Sequence, residues 1–319
     1  MRFVDLHCDS LFEMYLQKKD IAALNGHINL AKLAAGEVLM QSFAAFIATH
    51  DCAKRNGVKL DAYGLFHALA DIFDEQMAQY ANAIAPVRCY ADVEKNQREG
   101  KISALLTVED AVFLDGKIER VDEMYSRGVR MAALTWNYEN SLGYPNATDA
   151  ADHARGLKPF GIEAVQRMNE LGIIVDVSHL SEGGFWDVAR RTKKPFAASH
   201  SCARALCDHR RNLTDKQLHA LADCGGIVGV NFYSAFLNGR EDYTAIADIV
   251  AHMDYIRNKA GIEAVALGSD FDGIDCALEF KDCAGLPRLA DAMSKCFTDD
   301  EIDRICTQNA LRVFKDVVG

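Results

Sequence analysis

Short apolar runs alternate along the chain with longer stretches of helical periodicity. The runs consist mainly of β-branched and small apolar residues, a composition typical of strands. Eight of them are predicted to be strands, at 3–7, 42–48, 102–108, 129–135, 172–178, 195–199, 226–232 and 264–269.

The stretches between these runs predict helices. The candidates include 59–80, 117–127, 159–171, 181–192, 214–224 and 242–260. Ser181 and Thr214 supply N-cap chemistry, and Pro159 suits the first turn of a helix. Residues 285–319 predict two closing helices, the last of which begins near Thr298.

Continuous apolar strands that alternate with helices are typical of the α/β class and favour a parallel (β/α)8 TIM barrel. The alternative is a doubly wound open sheet, but no GxGxxG motif follows the first strand, which weakens a dinucleotide-binding interpretation. We expect residues 1–319 to form a single barrel domain, with excursions near 20–41 and 50–100 and with closing helices over 285–319.

Polar side chains stand where most of the predicted strands end. Active sites of such barrels lie at the carboxyl ends of the strands. The residues at these ends are His7, Asp9, Glu109, Asp110, Trp136, Asn137, His179, His200, Asn231, Tyr233, Asp270 and Asp272.

A single histidine–carboxylate pair such as His7 and Asp9 has two interpretations, a metal site or a hydrogen bond in a polar core. The joint pattern favours a metal, because burying so many charges without a cation would be costly. Histidine and carboxylate ligands suit zinc or a similar divalent ion. These histidines and carboxylates are more numerous than the ligands that one catalytic zinc needs. Two metals that share one bridging carboxylate would use six of them.

Charge and cysteine usage narrow the possible partners. The net charge is −11, from 35 Lys and Arg against 46 Asp and Glu, which disfavours nucleic acid and anionic membranes as partners. The sequence has no signal-peptide pattern and no apolar window long enough to span a membrane. Its ten cysteines lack CxxC spacing and predict reduced thiols of a cytoplasmic protein.

The ordered motifs "DLHCDS", "TVED", "VDVSHLSE", "SHSCARALCDHRRN" and "LGSDFDG" resemble those of the membrane (renal) dipeptidase family of zinc peptidases. The similarity continues through "HINLAKLAAGEV", "LKPFG", "VNFY" and "NALRVF", so it covers essentially the whole chain. The resemblance implies a (β/α)8 barrel with two zinc ions that hydrolyses dipeptides. Members of the family that accept a D-residue at the C-terminal side extend the expected substrates, and the family also suggests a homodimer.

The resemblance also implies a division of the metal ligands. His7 and Asp9 match the ligands of one zinc, and Glu109 matches the carboxylate that bridges both ions. His179 and His200 match the ligands of the second zinc.

Two further residues acquire roles through the resemblance. Asp270 matches the aspartate beside the first zinc and the bridging water, and Arg211 matches the arginine that holds the substrate's C-terminal carboxylate. The hypothesis is that a metal-bridging hydroxide attacks the scissile carbonyl and that Asp270 transfers the proton to the leaving amine.

The chain departs from the family at one position of the substrate site. Trp136 occupies the place of a histidine thought to contact the substrate's carbonyl oxygen, and an indole N–H cannot carry a positive charge. Stabilisation of the oxyanion would then depend on the metal, or on Asn137 or His153. Tyr233, in the "VNFY" motif, completes the residues expected to bind substrate.

Three rival functions remain. A metal-dependent nuclease is disfavoured by the acidic charge balance. Another binuclear amidohydrolase that acts on a small amide would often use a carboxylated lysine after strand 4, where this sequence has "LTWN". A metal-free binding barrel is the third possibility, and metal analysis separates it from the enzymes.

Overall fold

Eight parallel strands close into a barrel, as the sequence predicts. The computed structural model describes residues 1–319. The strands are β1 (Phe3–Asp5), β2 (Val38–Phe46), β3 (Ile84–Pro86), β4 (Ile102–Glu109), β5 (Met131–Ala133), β6 (Ile174–Asp176), β7 (Ala197–Ser201), β8 (Ile227–Val230), β9 (Tyr243–Thr244), β10 (Val265–Leu267) and β11 (Ala277–Leu278). The barrel runs in the order β1, β2, β4, β5, β6, β7, β8 and β10, and the pairing of β10 with β1 closes it.

Helices cover the outside of the barrel, as crossover connections between parallel strands require. They are α1 (Ser10–Gln17), α2 (Leu30–Ala35), α3 (His50–Arg55), α4 (Ala62–Gln79), α5 (Tyr90–Arg98), α6 (Glu119–Ser126), α7 (Ala150–His153), α8 (Pro159–Leu171), α9 (Glu182–Arg191), α10 (Asp215–Asp223), α11 (Ser234–Leu237), α12 (Ile246–Ala260), α13 (Leu286–Met293), α14 (Asp299–Asp303) and α15 (Asn309–Val318). A π-helical segment, Arg304–Gln308, joins α14 to α15, so the second closing helix is continuous from residue 299.

The predicted helix starts are largely confirmed. Pro159 lies in the first turn of α8, and the Ser181 side chain caps α9 by accepting the Gly184 N–H. Thr214 and Gln217 form a capping box at the start of α10.

Two predicted boundaries are wrong by four residues. The first excursion ends before Val38 rather than at 41, because residues 38–41 already pair with β1 and β4 as the beginning of β2. The predicted helix over 242–260 begins only at Ile246, because Tyr243–Thr244 pair with β11 instead. The excursion over 50–100 contains α3, α4, α5 and the short strand β3, which pairs with the first residues of β4.

The interior of the barrel is apolar at its amino end. Inward residues of the strands, among them Val4, Leu105 and Ile174, pack in one cluster with Val313 and Phe314 of α15. This helix therefore closes the bottom of the barrel.

Two glycines allow close packing of neighbouring strands. A Cβ atom on Gly229 would lie 2.0 Å from the carbonyl oxygen of Ser199, and one on Gly268 would lie 1.8 Å from the same atom. Only glycine fits at either position, so the backbone of β8 and the residue after β10 can lie against the Ser199 carbonyl of β7.

No helix has both the length and the apolar character needed to cross a membrane. All ten cysteines are free thiols. Cys8 is fully buried, and burial raises the pKa of its thiol well above the ordinary value, which agrees with a packing role.

Candidate metal centre

The carboxyl ends of the barrel strands bring together the six side chains that the sequence predicts as metal ligands. They are His7 and Asp9 after β1, Glu109 at the end of β4, His179 after β6, His200 in β7 and Asp270 after β10. All are buried except Asp270, whose side chain is 13% exposed. The five strand ends lie far apart in sequence, and the barrel brings them together.

The Glu109 carboxylate lies between two groups of histidines. Its Oε2 atom is 3.4 Å from His7 Nε2. Its Oε1 atom is 2.8 Å from His179 Nε2 and 3.5 Å from His200 Nε2. Each oxygen therefore faces a different side, which is the geometry a bridging carboxylate needs.

Two more carboxylates lie close to His7. His7 Nε2 lies 3.7 Å from Asp9 Oδ2 and 3.8 Å from Asp270 Oδ1. The ligand atoms of these three residues lie within 4.8 Å of one another, as do those of His7, Glu109 and His200. Two clusters of donors that share His7 thus lie side by side.

Hydrogen bonds define which nitrogen of each histidine carries the proton on the second side. Ser199 donates its hydroxyl proton to Asp176, so its Oγ accepts from His200 Nδ1 at 2.8 Å. Asn137 Oδ1 accepts from His179 Nδ1 at 3.2 Å. The Nε2 atoms of the two rings therefore carry lone pairs, and they face each other at 3.0 Å, an arrangement that a cation between them would stabilise.

Several buried polar atoms at the centre have no hydrogen-bond partner. They include His7 Nε2 and Asp9 Oδ1. Buried polar atoms are normally paired, so unpaired atoms on two neighbouring side chains are suited to bind a ligand. Histidine nitrogens and carboxylate oxygens are the donors that zinc prefers in catalytic sites, and the residues present therefore fit a divalent metal.

The centre shifts the pKa values of its groups in opposite directions. Burial would raise the pKa of Glu109, but the positive charge of His7 holds it well below the ordinary value. Burial, reinforced by Arg211 and His7, lowers the pKa of His179 to about 4, and burial also lowers that of His200. Both histidines are therefore neutral and able to ligate at physiological pH.

Strained backbone accompanies the chemistry. His179, Asp270 and Asp272 adopt φ values of 66°, 63° and 66°, in the left-handed region that non-glycine residues rarely occupy. Asp272 is held in this turn by the Ser10 hydroxyl, which donates to its carboxylate at 2.6 Å. Such conformations persist where the surroundings fix them and are concentrated at functional sites.

A cleft of about 350 Å³ opens above the centre. Its floor includes Glu109, His179 and Asp270, and its walls include the predicted substrate residues Trp136, Asn137 and Tyr233. The size suits a small substrate. Phe12, Phe46 and Trp136 form an aromatic wall, in which the Phe46 and Trp136 rings meet edge to face with their centroids 4.9 Å apart.

Arg211 lies beside the cleft, in a smaller cavity that shares His179 with it. The residue is buried, and its Nη1 and Nη2 atoms donate only to Ser201 Oγ at 3.4 Å and the His200 carbonyl at 3.2 Å. Its Nε atom has no partner. A buried guanidinium that lacks a carboxylate partner is suited to receive an anion.

His153 does not line the main cleft. It ends the short helix α7 and borders the smaller cavity beside Arg204. Its Nδ1 accepts the Ala147 N–H at 3.3 Å. Of the two residues considered as replacements for the missing histidine, Asn137 is therefore the one that faces the cleft.

The structure adds site residues that sequence reasoning missed. Phe12, Phe46, Arg55 and Asn56 line the cleft, but no motif singled them out. Asp176, which ends β6 within the apolar run "GIIVDVS", carried a usable signal, since a carboxylate inside a buried strand needs a reason.

Comparison with known proteins identifies the family of the chain. The model of the family described as membrane dipeptidase (peptidase family M19) matches residues 1–318. A protein of Klebsiella pneumoniae is 39% identical over 256 residues, covering 77% of this chain and 93% of its own length. A protein of Schizosaccharomyces pombe named as a dipeptidase is 33% identical over 341 residues, covering 98% of this chain and 80% of its own.

Solved structures share the fold. The crystal structure of dipeptidase AC, a metallopeptidase of family M19, superposes with a TM-score of 0.89 at 25% identity, over 100% of this chain and 99% of that one. A metallopeptidase of Rhodobacter sphaeroides, bound to a phosphinate mimic of L-Ala-D-Ala, gives a TM-score of 0.89 at 24% identity, over 99% of each chain. The chain belongs to the membrane dipeptidase family, peptidase family M19, and is a metallo-dipeptidase, a hydrolase that acts on dipeptides.

Proposed function

We propose that the chain is a zinc-dependent dipeptidase with a binuclear centre. The observation that carries this proposal is the position of Glu109, whose two carboxylate oxygens face His7 on one side and His179 and His200 on the other. His7, Asp9 and Asp270 would hold one ion, while His179 and His200 would hold the other. When bound, the two ions would lower the pKa of a shared water so that a hydroxide nucleophile is available near neutral pH.

Asp270 is the proposed general base and then the general acid. Its Oδ1 faces the centre near His7, while its Oδ2 accepts the Asn231 side-chain N–H at 2.9 Å. Burial raises the pKa of Asp270, which brings the carboxylate closer to the range in which it can accept and return a proton. Asn231 fixes the orientation of the carboxylate and leaves Oδ1 free to accept and return the proton.

Arg211 is the proposed anchor for the substrate's free C-terminal carboxylate. Its planar guanidinium can bind a carboxylate through two parallel hydrogen bonds. Because the anchor is fixed relative to the metal ligands, only a substrate that ends one residue beyond the scissile bond reaches it. This distance would select dipeptides over longer peptides.

Trp136, Asn137 and Tyr233 are the proposed contacts for the rest of the dipeptide. Each lines the cleft. The Asn137 oxygen is used by His179 Nδ1, so its amide N–H groups remain to donate toward the substrate. We propose that these donors contact the scissile carbonyl oxygen at the place where the family has a histidine.

Dipeptides with a C-terminal D-residue are included in the proposed substrate range. The Rhodobacter sphaeroides metallopeptidase with the same fold binds a phosphinate mimic of L-Ala-D-Ala. A panel of L,L and L,D dipeptides, assayed with and without a chelator, tests the proposal. Hydrolysis that a chelator abolishes and zinc restores is expected, whereas hydrolysis that is insensitive to the chelator would overturn it.

A further inference from the structure

Two buried aspartates lie one layer below the metal centre and are used by neither ion in the proposed arrangement. Asp5 ends β1 and Asp176 ends β6, with exposed fractions of 0% and 2%. Both accept hydrogen bonds from neutral groups, and neither forms a salt bridge with a lysine or arginine. Burying a carboxylate in this way is costly, so the two groups need a reason to be there.

Asp176 is bonded to a serine on the neighbouring strand. Its Oδ1 atom accepts the backbone N–H of Ser199 at 2.9 Å, and its Oδ2 atom accepts the Ser199 hydroxyl. Ser199 immediately precedes His200 and also accepts from the Nδ1 atom of that ring at 2.8 Å. The pair therefore joins β6, which leads to His179, to β7, which carries His200.

Asp5 repeats the arrangement on the opposite side of the centre. Its Oδ1 atom accepts the backbone N–H of Ser269 at 2.8 Å, and its Oδ2 atom accepts the Ser269 hydroxyl at 2.6 Å. The Ser269 hydroxyl also lies 3.1 Å from the His7 carbonyl oxygen, and Ser269 immediately precedes Asp270. This pair joins β1, which leads to His7, to the strand end that carries Asp270.

Each pair thus connects two adjacent strand ends whose ligands belong to the same half of the centre. In both, a strand-terminal aspartate accepts the backbone and hydroxyl protons of a serine that stands directly before a ligand. Two bonds between one carboxylate and one serine fix both the separation and the relative rotation of the strand ends. The distance between ligands on neighbouring strands is set by the same bonds.

We propose that Asp5–Ser269 and Asp176–Ser199 are positioning pairs, each of which sets the ligand geometry of its own half of the metal centre. The proposal rests on the binuclear site described above. None of the four residues lines the cleft, and they act through the ligands that they hold. The centre therefore consists of two units that can be weakened separately.

The test measures zinc binding by two serine variants in the absence of substrate. Metal-free Ser199→Ala and Ser269→Ala are titrated with zinc against a competing chelator, and crystals at limiting zinc show by anomalous scattering which position fills. Loss of a group that orients a metal ligand typically costs about 10- to 100-fold in metal affinity. Ser199→Ala should lose this affinity at the His179–His200 position, and Ser269→Ala at the His7–Asp9–Asp270 position.

Ser42→Ala is the matched control, because Ser42 is a buried serine of β2 whose hydroxyl has no partner. It should leave both affinities unchanged. The proposal would be overturned if Ser199→Ala or Ser269→Ala lowered the zinc affinity equally at both metal positions. It would also be overturned if either variant lowered the melting temperature of the metal-free protein but left both zinc affinities unchanged.

Two further results keep the test decisive. If metal-free Ser199→Ala does not fold, Asp176→Asn is titrated with zinc instead. A lower zinc affinity at both metal positions in this variant would again contradict two separately positioned halves. A wild-type chain that binds a single zinc would refute the binuclear function itself, which is a different outcome from unchanged affinities in the serine variants.

Discussion

The two ends of the barrel are filled in opposite ways. At the amino end, apolar side chains of the strands pack against α15 in one cluster. At the carboxyl end, six titratable side chains converge, polar atoms lack partners and backbone φ values turn positive. The comparison teaches that stability and chemistry are separated along the barrel axis, so that mutations at one end should leave the other largely intact.

Asp270→Asn at the carboxyl end should have the largest effect. Removing a general acid–base group typically lowers kcat by about 10²- to 10⁴-fold. Zinc content by elemental analysis and the melting temperature should stay close to wild type. Asp291→Asn, on α13 at the other end of the barrel, is the matched control and should keep wild-type turnover. Wild-type turnover by Asp270→Asn would rule out the proton-transfer role.

Phe314→Ala should destabilise the apolar cluster at the amino end of the barrel. Phe314 is 1% exposed, and truncation of a buried phenylalanine costs about 3–5 kcal/mol of unfolding free energy. Denaturant unfolding should show this loss, while kcat per folded molecule should not change. Asp316→Ala, at an exposed neighbouring position, is the control and should change neither the unfolding free energy nor kcat. A large fall in kcat for Phe314→Ala would show that the two ends are coupled.

Arg211→Ala should affect recognition of substrate more than the chemical step. Charge-assisted hydrogen bonds contribute about 1.5–3 kcal/mol each, so KM should rise by about 10- to 100-fold with a smaller change in kcat. The comparison substrate is a dipeptide amidated at its C-terminus, which lacks the carboxylate and should respond little to the substitution. An equal loss on both substrates would argue against the anchor.

Zinc uptake should release protons. Burial alone would lower the pKa of His7, but Glu109 and Asp9 raise it well above its ordinary value, and burial raises that of Asp9 to about 8. Both groups therefore hold protons at neutral pH in the metal-free protein, and zinc must displace them.

The raised pKa values of His7 and Asp9 determine how zinc affinity depends on pH. Zinc affinity should rise with pH up to about pH 8, with release of about two protons per chain near neutral pH, one from His7 and one from Asp9. Calorimetric titration in two buffers of different ionisation enthalpy measures the number of protons. An affinity that falls with rising pH would contradict protonated His7 and Asp9 in the metal-free protein.

Much of the barrel was predictable because its strands are continuous apolar runs. Each of the eight predicted strands overlaps an observed one, and the ligands stand at their ends because parallel strands share a direction. The sequence did not indicate that Val38–Gln41 belong to β2, since the strand signal there is interrupted by Gln41, which pairs with Asp5.

The walls of the cleft were less accessible to sequence reasoning. Phe12 and Phe46 look like ordinary core residues, and Arg55 lies in an excursion whose path over the barrel depends on tertiary packing. The positioning serines are small residues without a motif of their own. Only the three-dimensional structure pairs Ser269 with Asp5, which lies 264 residues away in sequence.

The most direct test of the proposed binuclear centre is anomalous diffraction at the zinc edge from the zinc-reconstituted chain. Two peaks about 3.5–4 Å apart, on opposite sides of the Glu109 carboxylate, are the predicted result. A single peak, or none, would contradict a binuclear centre bridged by Glu109.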